Sequence, residues 1–137
     1  MIRTILATLL LSLTAPLAHA QDWALGGMDP VSYGADNAAV PGRRDLVTLW
    51  QGQAWHFASE DNRSTFESNP RAYAPGLNGL CVVALSEGRP EPGNPRYFVV
   101  IGKRTYFMRS EAARQKFLAD PQRVLRSAEA RWASTHH

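Results

Sequence analysis

The sequence predicts an α+β fold: one small domain of two hairpin-helix units, related by internal duplication, with antiparallel sheet. Three observations predict it. The first is a pattern that occurs twice. Residues 51–58 read Gln-Gly-Gln-Ala-Trp-His-Phe-Ala and are followed by Ser59-Glu60, Arg63, Phe66 and Asn69-Pro70-Arg71. Residues 102–108 read Gly-Lys-Arg-Thr-Tyr-Phe-Met and are followed by Ser110-Glu111, Arg114, Phe117 and Asp120-Pro121. Ser59 and Ser110, Arg63 and Arg114, Phe66 and Phe117, and Pro70 and Pro121 are each 51 positions apart. Gly52 and Gly102, like Phe57 and Phe107, are 50 apart, which reads as one residue inserted between the second hairpin and its helix. Repeats at a fixed period signal stacked or paired structural units. The second observation is that each copy runs from β-rich segment to glycine turn to β-rich segment to helix cap. A lone hairpin is marginal in water and needs a cover, which the following helix supplies through Phe66 or Phe117. The third is size. Residues 21–137 suit a single domain with a real core.

The elements follow in order. Arg3, the apolar run from Ile5 to Leu13 and Ala18-His19-Ala20 form the charged, apolar and small-x-small parts of an export signal. Residues 1–20 therefore read as a signal peptide cleaved after Ala20, giving a periplasmic or secreted chain. The apolar run is too short to span a bilayer, which takes about 20 residues. Residues 23–33 form an arm containing Gly26-Gly27-Met28-Asp29-Pro30, read as a turn with Asp29 bonding to its local backbone. Residues 35–42 are small and polar and read as a loop. Residues 46–50 and 54–57 are two strands around Gln51-Gly52-Gln53. Ser59 caps the next helix, with Glu60 and Asp61 suited to its dipole, and Pro70 stops that helix near Asn69. Residues 80–85, Leu-Cys-Val-Val-Ala-Leu, read as a helix capped by Asn78 and ended by Gly88. Residues 97–101 and 105–108 make the second hairpin, Ser110 caps the second helix, and Val124, Leu125, Ala128 and Trp132 line one stripe of a last helix.

Charge narrows the function classes. Fifteen basic and 12 acidic residues are interspersed along the chain, without a basic stripe, so nucleic acid is not an expected partner. The one cysteine, Cys81, cannot form an intrachain disulfide. Set in an apolar run, it is either a small buried hydrophobe or a thiolate ligand. In the second case its soft partners are Met28, Met108 and His56, and thiolate with thioether selects copper(I). Alternation puts His56 on the opposite strand face from Trp55 and Phe57, towards solvent or a groove. Neither an acid-base dyad nor a nucleophile-base signature is present, so the chain does not read as an enzyme.

The elements Leu25-Gly26-Gly27-Met28-Asp29-Pro30-Val31-Ser32-Tyr33, Trp55-His56-Phe57-Ala58-Ser59-Glu60-Asp61-Asn62-Arg63, Asn69-Pro70, Tyr73-Ala74-Pro75, Asn78-Gly79-Leu80-Cys81, Gly93-Asn94-Pro95 and Gly102-Lys103 together resemble the YHS domain family in its secreted single-domain form. The resemblance covers residues 21–137. Related domains attached to heavy-metal-transporting ATPases look like metal-binding modules built on cysteine pairs, so the resemblance implies a metal link. Where those domains place cysteines this chain has Ser32 or Tyr33, and Ala58, which leaves Cys81 as the strong soft ligand. Two functional readings lead, ahead of a third, a thiol enzyme pairing Cys81 as nucleophile with His56 as base. One is an exported binding module that handles a soft metal of the copper type. The other is an envelope interaction or accessory protein in which Cys81 is structural and no metal binds.

Overall fold

The computed structural model describes residues 22–136. The signal peptide expected over residues 1–20 lies outside them. The described chain is a small α+β domain of two halves, and it has antiparallel sheet only, in two separate two-stranded pieces.

The first half opens with a tight turn, Ala24–Gly27, in which Leu25 and Gly26 both hold left-handed backbone. Helix α1 (Ser32–Asp36) follows, then strands β1 (Arg43–Trp50) and β2 (Gln53–Phe57), then helices α2 (Glu60–Ser68) and α3 (Pro70–Tyr73). The second half repeats this order. It has a tight turn at Gly76–Gly79, helix α4 (Val82–Ser86), strands β3 (Asn94–Ile101) and β4 (Arg104–Met108), and helices α5 (Glu111–Ala119) and α6 (Pro121–Thr135). In the second turn Leu77 and Asn78 hold the left-handed backbone that Leu25 and Gly26 hold in the first.

The repeat is closer than the sequence reading has it. Val47 faces His56 and Phe98 faces Phe107; Trp50 faces Gln53 and Ile101 faces Arg104. Even the register irregularity recurs, between Arg43 and Val47 and between Asn94 and Phe98. Every one of these positions is related by the same 51-residue step as the helices. The residue thought to be inserted after the second hairpin is therefore not there. The reason lies in the two-residue turns. Both central positions of each turn have positive φ, at Gln51-Gly52 and at Gly102-Lys103, as a primed hairpin turn requires. Glycine fills the second position in one turn and the first in the other, so matching glycine to glycine shifts the register by one. The true counterpart of Phe57 is Met108, and that of His56 is Phe107.

Each half has its own core. Phe66, fully buried, packs its ring on Trp50, Trp55 and Phe57. Phe117, also fully buried, joins Cys81, Val82, Met108, Val124, Leu125 and Ala128. Ser59 and Ser110 accept from the amides of Asn62 and Ala113, both at 3.1 Å, and so start α2 and α5. Helix α6 lies over α4 and supplies the apolar stripe expected of it, with Trp132 half-buried at its end.

The halves are tied together at a few points. The Tyr33 hydroxyl donates to the Pro95 carbonyl at 2.7 Å, and the ring packs on Phe98 and Phe107. Arg104 Nη1 donates to the carbonyls of Arg71 and Ala74 at the end of α3.

Candidate functional site

The four side chains singled out in the sequence occupy different surroundings. Cys81 is fully buried and is the N-cap of α4, its sulfur accepting from the Ala84 amide at 3.5 Å. The cap expected at Asn78 is thus three residues too early, because Asn78 belongs to the left-handed turn. The Cys81 amide donates to the Glu91 carbonyl, and the residue bridges to Phe107. Met108, fully buried, shares this core. Met28 is half-buried and bridges to Pro41 in the first half. His56 also belongs to the first half, paired with Val47 on β1. The structure therefore gathers Cys81 and Met108 in one core, while Met28 and His56 take their partners from the other half. Among the described residues, no three His, Cys, Asp or Glu side chains come together.

The duplication explains why a cysteine stands at position 81. The Gly27 carbonyl accepts from Gly42 and the Gly79 carbonyl from Gly93; two residues on, Asp29 donates to Val40 and Cys81 to Glu91. Cys81 is the counterpart of Asp29. Asp29 is fully buried and its carboxylate is saturated: Oδ1 accepts from the Val31 amide, and Oδ2 accepts from the Ala58 amide and from Asn62 Nδ2, all at 2.8 Å. In the second half the counterpart of Asn62 is Ala113, an apolar core residue. With no side-chain donor there, a carboxylate would be buried short of the bond that Asn62 gives Asp29. A cysteine serves the same backbone geometry as a small hydrophobe with a weakly accepting sulfur.

His56 takes the face opposite Trp55 and Phe57, as alternation requires, but that face is not open. Trp23 covers the imidazole with 4.2 Å between ring centroids, and the residue is 3% exposed. Gly42 crosses so close that a Cβ there would lie 2.5 Å from the His56 backbone; Gly93 makes the same approach to Phe107 in the second half. The imidazole Nδ1 is buried and has no hydrogen-bond partner. Burial holds the imidazole below its ordinary pKa, the Arg44 cation adds to the effect, and the Ala54 carbonyl opposes it. Tyr33 is shifted the other way. Burial, and then the nearby Asp29 charge, raise its phenol well above the ordinary range, so it remains a hydrogen-bond donor.

A concave feature lies between the halves. It is a cleft of about 520 Å3, within the range of small-ligand sites. The first half contributes Leu25 and Gly26 from its tight turn, with Trp50, Gln51, Gln53 and Trp55 from its hairpin. The second half contributes Asn78 and Gly79 from the equivalent turn, with Gly93, Pro95 and Phe107. Ala74 and Pro75, which join the halves, close one side. Sequence reasoning missed this site. Its one available signal was that the Leu25-Gly26-Gly27 arm has a counterpart in Leu77-Asn78-Gly79. The arms, unlike the hairpins, are 52 positions apart, so they fall outside the main repeat. No protein-family model matches the chain, and neither a curated protein nor a solved structure does.

Proposed function

We propose that this chain is a small binding module whose site is the cleft between its two halves. The observation that carries the reading is the convergence of the two equivalent left-handed turns and of Trp50, Gln51 and Gln53 on one concavity of ligand size. The burial of Cys81, its sulfur capping α4, and its equivalence to the structural Asp29 favour a core role for the thiol. The export signal read in residues 1–20 would deliver such a module to the cell envelope or beyond. A screen of small neutral, anionic, cationic and apolar compounds against the isotopically labelled protein tests the reading. Binding should shift the amide resonances of Gly26, Gln51, Gln53, Asn78 and Gly79. Copper(I) belongs in the same screen. If it alone binds, with shifts centred on Cys81 and Met108, the soft-metal reading replaces this one.

A further inference from the structure

Resting on the cleft reading, the chemistry of its walls assigns a ligand class. We infer that the cleft takes an uncharged, hydroxyl-rich ligand, a neutral saccharide of one or two rings. None of the residues lining the cleft is ionisable. A phosphate, a carboxylate or an ammonium group bound there would lose water without gaining a counter-charge, which is unfavourable. The ionisable side chains nearby, Arg71, Arg104 and His136, line the adjoining hollow rather than the cleft, and there Arg104 Nη1 is engaged by the carbonyls of Arg71 and Ala74.

The side-chain amides present are those of Gln51, Gln53 and Asn78, all exposed. An amide carries two donors and an acceptor, so it pairs with a hydroxyl in either direction. The apolar groups beside them are indoles. Trp50 and Trp55 pack edge to face at 5.5 Å, and Trp55 Nε1 already donates to the Trp50 carbonyl. Trp55, 3% exposed, backs the wall without an unmet donor, and the partly buried Trp50 brings the apolar ring surface. A sugar ring presents the complement of this wall: hydroxyls around its rim and C–H groups on its faces. A fatty chain would leave the three amides unpaired, and a bare cation would find no anionic ligand.

Maltose, cellobiose and chitobiose are the probes, with glucose 6-phosphate and glucuronate as charged controls and a blocked triglycine as a neutral peptide control. The full chain should show saturable shifts of the Gln51, Gln53 and Asn78 side-chain amides with at least one neutral disaccharide, and weaker ones with the charged sugars. Gln53→Glu preserves shape at an exposed position but removes the donor. It should leave the melting temperature unchanged and weaken binding about fivefold, the value of one hydrogen bond. Asn78→Asp should weaken it similarly. Preference for the charged sugars or for the peptide overturns the saccharide assignment, as does equal binding by Gln53→Glu. If other small molecules shift these resonances while no saccharide does, the cleft stands and the ligand class falls. If nothing shifts them, both fall.

Discussion

His56 shows how one residue can be right in register and wrong in environment. Strand alternation places it correctly, but only the fold reveals Trp23 above it and Gly42 beside it. Its folded pKa is depressed, so the native imidazole stays neutral where the unfolded one takes up a proton. The unfolded chain then binds more protons below its pKa near 6.5, and stability falls as pH drops from there through the folded pKa. Above that window His56 contributes no slope. Because Phe107 is its counterpart under an equivalent glycine, His56→Phe should fold, and should flatten the fall in melting temperature between neutral and mildly acid pH. An unchanged profile would show that other groups cause it. Asp29 and Cys81 make the complementary pair. Asp29→Ala orphans the buried Val31 amide, the part-buried Ala58 amide and the Asn62 side chain, and should destabilise by about 1–3 kcal/mol for the buried amide and less for the other two, read by denaturant unfolding. Cys81 should resist an aromatic disulfide reagent in the folded protein and react fully once unfolded. Rapid reaction in the native state would mean that the thiol is poised for chemistry rather than packed.

At the scale of the element, what the sequence revealed was what local chemistry dictates. Ser59, Ser110, Pro70 and Pro121 mark helix ends because caps and proline act within one turn, and all four do so in the structure. Phe66 and Phe117 are equally buried at equivalent positions, as the repeat implies. Truncating either to alanine should cost about 3–5 kcal/mol, measured by chemical denaturation. The hairpin turns were read one residue out of step because the backbone demand is for positive φ at two positions, and glycine can meet it at either. Lys103 holds φ 64° where its counterpart is Gly52. Lys103→Gly should therefore stabilise by up to about 1 kcal/mol, the relief of a left-handed non-glycine residue. The equivalent change of Gly52 to Lys should cost a similar amount.

For the whole molecule, the cleft was out of reach of the sequence because its lining comes from separate stretches that only docking of the halves brings together. A lone cysteine draws attention precursory to any structure, yet its place was set by the turn it follows. Docking itself rests on few contacts, chief among them the Tyr33 hydroxyl on the Pro95 carbonyl, 62 residues apart in sequence. Most other pairings close within one half: Trp23 with Ala54, Cys81 with Phe107, α2 with the first hairpin, and α4 and α5 with the second, while α1 and α3 touch β4 across the divide. This arrangement has a kinetic consequence. Loops inside a half are short and close early, whereas the Tyr33 bond forms only when two built halves meet. Tyr33→Phe should then leave the refolding rate almost untouched and put its loss, about 0.5–1.5 kcal/mol, into faster unfolding. A stopped-flow chevron reads both limbs. A slowed refolding limb would mean that the halves assemble around each other from the start, with the cleft present in the transition state.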